Sequence, residues 1–216
     1  MFLTRTVTEL LDLFSSSDPT PGGGSASALS GALGASLLAM VAGLPKTRTN
    51  TPEEHSTLDN ARRQLMALRD TLIELVDRDA AAYDLVVAAY KQPKGTDSEK
   101  AARKTAIASA LRAATDVPLE TMRACTEVLG LGKIVAEHGN LSAASDIGVG
   151  LHLTMAGLTG GRLNVETNIS SSGDQAYAAS IRDEVLLMMV GAGADLQAAS
   201  RAAGLTRVPA DDQLRT

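Results

Sequence analysis

Three stretches of the 216-residue chain carry residue types able to do chemistry. The first is Pro19-Thr20-Pro21-Gly22-Gly23-Gly24-Ser25. Two prolines stiffen the approach, and the glycines let the backbone turn sharply and come close to a ligand. A helix is predicted to follow, and its free N–H groups would favour an anionic or polar ligand group. No Gly-Lys-Ser/Thr follows the glycines, so this is not a P-loop. The plainer alternative is a helix-joining turn with Ser25 as N-cap. The second stretch centres on Asp79. Apolar residues recur at Leu58, Ala61, Leu65, Leu68, Leu72 and Leu75 in steps of three and four, and the next step lands on Asp79, then Ala82 and Val86. A carboxylate on a core-facing stripe must be paired, protonated or turned to a polar cavity. Asp77 and Asp84 lie off the stripe, as solvated acids would. A structural pair with a buried cation, or a drift of the stripe, would also account for Asp79. The third stretch is Asn140-Leu-Ser-Ala-Ala-Ser-Asp146, where Asp146 is the last charge before fifteen uncharged residues. It is either a working carboxylate or an acid stabilised by a helix dipole. His55, His138 and His152 show no metal-ligand spacing, and no metal site is expected.

The elements that must position these groups read as helices. Thr6 to Phe14 is a short amphipathic segment. After the glycine-rich break, Ser25 to about Leu44 is an uncharged helix. Thr51-Pro52-Glu53-Glu54 is a strong helix start, with Thr as N-cap and Glu at the reciprocal capping position. The stripe then carries one helix to roughly Tyr90. A turn at Pro93–Asp97 leads to a helix that Thr115-Asp116-Val117-Pro118 should end or kink near Ala114. Leu119 to Glu137 is helical again. Ala143 to Leu158 reads as a buried helix whose end Gly157, Gly160 and Gly161 loosen. Leu163–Ile169 suits a short strand as well as a helix, and Gln175 to about Ala203 is the last helix. These elements predict an all-α bundle of long helices forming one domain over residues 1–204, with a polar tail over 205–216.

Composition narrows the function classes. Aromatics make up only 2% of the chain and there is no Trp, which suits close-packed helices more than sheets. A net charge of −5 argues against nucleic-acid binding by phosphate neutralisation. One cysteine, Cys125, excludes a disulfide framework and fits a cytoplasmic chain. The uncharged run from Pro19 to Pro45 approaches the ~20 residues of a membrane span, but it is rich in Gly, Ser and Ala and lacks flanking aromatics. A packed interior helix, with no membrane partner, is the expectation.

The order of the motifs resembles a known family. Pro-Thr-Pro-Gly-Gly-Gly-Ser-Ala-Ser-Ala entering an Ala/Leu helix, Asp79-Ala-x-Ala-Tyr83 and Tyr90-Lys-x-Pro-Lys94 are similar to the formimidoyltetrahydrofolate cyclodeaminase and methenyltetrahydrofolate cyclohydrolase family. So are Asp116-Val-Pro-Leu, Gly139-Asn140, Ser145-Asp146 and Leu163-Asn164-Val further along. The resemblance implies an all-α homodimer acting on a folate whose one-carbon unit sits at N5 or bridges N5 and N10. It implies Asp79 and Asp146 as catalytic carboxylates, and Pro21, Gly22, Gly23, Gly24, Ser25, Tyr83, Asn140 and Asn164 as substrate contacts. Where many members carry a lysine-rich stretch, this chain has Pro45-Lys-Thr-Arg-Thr-Asn50. Lys46, Arg48, Lys91 and Lys94 are therefore the cations expected to meet the folate's glutamyl carboxylates. No cofactor is expected. Cyclodeamination of the formimidoyl form stands slightly ahead of methenyl hydrolysis, with a non-catalytic folate-binding dimer as the alternative from another class.

Overall fold

The structure, a computed structural model, describes residues 1–205. The expected polar tail lies outside the described residues beyond Leu205. Six α-helices make up the fold: α1 (Val7–Ser15), α2 (Gly23–Ala42), α3 (Pro52–Tyr90), α4 (Asp97–His138), α5 (Ala144–Ser172) and α6 (Gln175–Ala202). No strand occurs among the described residues. Local chemistry sets the starts. Thr6 with Glu9, Thr51 with Glu54 and Thr96 with Glu99 each form a reciprocal capping box.

The four helices α2–α5 pack alternately up and down. Gly24 lies against Asp79 and Gly31 against Leu72, so α2 and α3 run antiparallel. Arg78 clamps Glu120 with two hydrogen bonds of 2.6 and 2.9 Å, tying α3 to an antiparallel α4. Ser27 meets Gly160, and Gly34 meets Thr154 and Gly150, so α5 runs back along α2. The α6 helix lies parallel to α4, joined by Arg112–Asp174 and Arg123–Glu184 ion pairs. Small residues permit this spacing: a Cβ on Gly157 would come within 2.7 Å of the Ser27 carbonyl and 2.9 Å of the Gly31 nitrogen. The core of Ala28, Ala35, Leu38, Leu65, Leu72, Leu75, Leu129, Leu151 and Leu158 is fully enclosed.

Two expectations need correction. Pro118 neither ends nor visibly divides α4, which is continuous from Asp97 to His138. Proline removes the N–H that would serve the Ala114 carbonyl, and the Asn168 side-chain amide supplies a donor in its place at 2.8 Å. Likewise Leu163–Ile169 is helix, and α5 passes through its glycines to Ser172. Those glycines are contact points: Gly160 faces Ser27, and Gly161 faces Met122 and the Pro118 carbonyl. Tertiary packing overrides local propensity here. The α2 helix is long and apolar enough to cross a membrane, yet in this fold it is the central packed helix, touching α3, α4 and α5.

Candidate active site

The antiparallel arrangement gathers one end of each helix. The start of α2, the last third of α3, the first half of α4 and the last turns of α5 surround a cavity of about 360 Å³. Gly22, Gly23 and Gly24 form one wall, where Gly22 is the N-cap of α2 and makes no side-chain cap. The first-turn N–H groups of a helix have no intrahelical acceptor, and they bring partial positive charge to this wall. Asp79, Ala82, Tyr83, Val86 and Tyr90 of α3 face it, and Asn164, Asn168 and Ser171 of α5 close a third side.

Asp79 is the one ionisable acid in the lining. It is half-buried, and burial pushes its carboxyl above the usual carboxylate range, outweighing the Ser25 hydroxyl and N–H, which pull the other way. The pull of the hydroxyl is limited, because it has a second acceptor. Ser25 Oγ lies 2.9 Å from the Val76 carbonyl oxygen and 2.9 Å from Asp79 Oδ2. A hydroxyl has one proton. With Asp79 neutral, Asp79 donates to Ser25 and Ser25 donates to Val76, so both contacts are made at once. With Asp79 ionised, one of them is lost. No cation pairs with this carboxyl among the described residues. Glycine at position 24 makes room for it, since a Cβ there would collide with the Asp79 carboxylate.

Ser171 also borders a second groove of about 450 Å³, lined by Lys94, Lys100, Arg103, Lys104, Ile107, Ala108 and Ser172. Four cations thus stand beside the cavity mouth. Arg103 is partly committed, donating to the Tyr90 carbonyl at 2.9 Å and stacking 5.6 Å from the Tyr90 ring centre.

The structure brings together some of the expected site residues and separates others. Gly22, Gly23, Gly24, Asp79, Tyr83 and Asn164 line the cavity. Ser25 is buried behind Asp79, inside the first turn of α2 and not its cap. Pro21 is buried beneath the loop, Lys91 is the exposed C-cap of α3, and Lys94 lies in the adjoining groove. Lys46, Arg48, Asn140 and Asp146 stand at the opposite end of the bundle. The 20 residues of α2 separate the two ends by about 30 Å. Arg48 is held there by the Ala136 and Ala202 carbonyls, and Asn140 accepts from the Ser142 N–H. Asp146 sits in the first turn of α5, where the dipole favours an acid. Within one chain these four do not reach the cavity. Conversely, Asn168 and Ser171 were not singled out by sequence reasoning. The signal for Asn168 was its place one turn after Asn164 on the same helix face.

The profile of the family described as Formiminotransferase-cyclodeaminase matches residues 6–186. The chain is 43% identical over 190 residues to the methenyltetrahydrofolate cyclohydrolase of Methylorubrum extorquens, covering 88% of this chain and 91% of that protein. It is 31% identical over 157 residues to the formimidoyltransferase-cyclodeaminase of Gallus gallus, covering 73% of this chain but 29% of that much longer protein. The fold matches the crystal structure of a formiminotetrahydrofolate cyclodeaminase from Thermotoga maritima, with a TM-score of 0.84, 22% identity, and coverage of 94% of this chain and 98% of that one. At that identity the match speaks to fold alone. On the family profile and the 43% identity, the chain belongs to the formiminotransferase-cyclodeaminase family.

Proposed function

We propose that this protein makes or breaks the one-carbon bridge between N5 and N10 of tetrahydrofolate, using Asp79 as the proton carrier. The observation that carries this reading is a half-buried, unpaired carboxyl facing a cavity beside a glycine-rich helix start. In cyclodeamination, N10 attacks the N5-formimidoyl carbon. N10 gives its own proton to the former imino nitrogen, and once that nitrogen has taken a second proton the C–N bond to it breaks and ammonia leaves. A neutral Asp79 is suited to give it. The product methenyl bridge is cationic, and the carboxylate left behind offsets that charge.

Hydrolysis is the second reading, and the identity with a cyclohydrolase of matching length brings it level with the first. Water adds to the methenyl carbon and loses a proton to the Asp79 carboxylate. The C–N5 bond then breaks as that proton passes to N5, and the adduct's hydroxyl releases its own proton to solvent, leaving 10-formyltetrahydrofolate. Here the cationic substrate itself favours the ionised acid. The same carboxyl serves both directions, and no metal or redox cofactor enters either scheme.

The basic groove supports a role for Lys94 with Lys100 and Lys104 in meeting the glutamyl carboxylates, in place of the distant Lys46 and Arg48. The reading also includes a homodimer working in the cytoplasm. Purified protein supplied with 5-formimidoyltetrahydrofolate should release ammonia and absorb as the methenyl form, or supplied with 5,10-methenyltetrahydrofolate should consume it. Failure in both, with the fold intact by circular dichroism, removes the enzymatic reading and leaves the folate-binding dimer.

A further inference from the structure

Pro118 has no N–H, so the Ala114 carbonyl of α4 lacks its helical donor. Asn168 Nδ2 donates to it across the α4–α5 contact at 2.8 Å. A carbonyl oxygen only accepts, so this bond fixes which end of the amide is which. Asn168 lines the cavity, and its Oδ1 accepts from no donor among the described residues. Asn164, one turn earlier, repeats the arrangement. Its Nδ2 donates to the Gly160 carbonyl at 2.9 Å, and it lines the same cavity. One N–H of each amide is thus spent on the backbone, which fixes the direction of its Oδ1. The acceptors that α5 offers a ligand are two carbonyl oxygens of set orientation about one helical turn apart, each beside one remaining amide N–H.

We infer that Asn168, with Asn164 beside it, determines which ring the cavity accepts, by presenting pinned acceptors to an edge of adjacent N–H donors. The inference rests on the folate reading above and deepens it: the pterin N3–H and 2-amino group form such an edge. Neither oxygen can turn into a donor without breaking its helix contact. A ring with acceptors at that edge would set oxygen against oxygen, and a ring without donors would leave Oδ1 unpaired in a partly dehydrated site. The Pro118 gap is therefore part of the binding site, because it holds the Asn168 amide in the one orientation that reads donors.

Three variants of the full chain separate reading from scaffolding: Asn168→Ala, Pro118→Ala and the double variant. The probes are 5-formyltetrahydrofolate, which carries its carbon at N5, and its 2-desamino-2-methyl analogue, with binding followed by calorimetry. Asn168→Ala orphans the Ala114 carbonyl, so both thermal midpoint and affinity should fall. In the double variant residue 118 regains an N–H for that carbonyl. Its midpoint should return to that of Pro118→Ala, while affinity for the parent folate stays at least 10-fold below that of the wild type. The wild type should bind the desamino analogue at least 10-fold more weakly than the parent, and both Asn168 variants should bind the two alike. A double variant that binds the parent as the wild type does, or an Asn168→Ala protein that still discriminates against the analogue, overturns the inference. A wild type that neither binds nor turns over either folate overturns the folate reading itself, a result distinct from both.

Discussion

Asp79 stands out in the sequence because it interrupts an apolar stripe that is otherwise buried from Leu58 to Leu75, save for a half-buried Leu68. The structure turns that interruption toward a cavity and anchors it through Ser25 to the Val76 carbonyl. Asp79→Asn should cut turnover by about 10²-fold or more while folate binding persists, as for loss of a general acid–base group. The raised pKa also makes a stability prediction. Folding favours the protonated carboxyl, so between its ordinary value of 3.8 and the raised folded value the native state holds more protons than the unfolded one. Stability from this group is therefore lost as pH rises through that window and levels off above it. Thermal midpoints of the wild type should decline relative to Asp79→Asn as pH climbs from 4; a constant difference would show that burial does not perturb the group. Gly24→Ala tests the same carboxyl from the other side. Alanine suits a helical first turn, but its Cβ needs the space that Asp79 occupies, so activity should fall about as far as in Asp79→Asn with helicity unchanged. Normal turnover by a folded Gly24→Ala protein would show that the carboxyl need not sit there. Asn168 was illegible for a complementary reason. Its role depends on the N–H that Pro118 lacks, and the carbonyl this leaves free, that of Ala114, lies 54 residues away in sequence.

At the level of elements, sequence reasoning succeeds where the signal is local. The Thr51–Glu54 capping box and the stripe that follows place α3 from Pro52 to Tyr90. It errs where a distant partner repairs a local defect, as at Pro118, or where a glycine serves packing, as in α5. The distinction predicts mutational costs. Gly34 of α2 sits against Thr154 and the Gly150 carbonyl, so Gly34→Val would gain helix propensity yet wedge α2 from α5. Overpacking of this kind costs about 1–3 kcal/mol or more, read as a lower denaturant midpoint. A neutral result would mean that the helices separate freely at that point. The groove beside Ser171 makes a charge prediction of its own. Lys100→Glu with Lys104→Glu should raise KM for folates carrying a glutamyl tail and leave a pteroate analogue without glutamate unaffected. An equal effect on both substrates would exclude the groove from tail binding.

The whole molecule separates two ends that the sequence motifs run together. Asp79 and Asn164 meet at one, whereas Lys46, Arg48, Asn140 and Asp146 share the other, because α2 and α4 point one way while α3 and α5 point the other. Motif order alone carries no information about such a division. Between the ends runs a surface that suits a second chain. No charged residue occurs from Pro19 to Pro45, so even the outward face of α2 is uncharged, and it exposes Leu33 (50%) and Met40 (45%). On the neighbouring α5, Val149 is 52% exposed and borders a shallow groove with His152, Leu153 and Leu205. Exposed apolar residues on two neighbouring helices are a surface that another chain could cover, and a two-fold copy of the same surface is the commonest cover. The face begins at Gly23, so such a pairing would set the interface near the Asp79 cavity. Light scattering at micromolar concentration should then give about twice the 22.3 kDa chain mass. Leu33→Glu combined with Val149→Glu places like charges on both sides of the contact and should return the mass to one chain, with far-ultraviolet dichroism unchanged. A wild-type mass of one chain would overturn the dimer, and a dimer that survives both substitutions would move the interface elsewhere, with the exposed Leu186, Leu187 and Val190 of α6 the next surface to test.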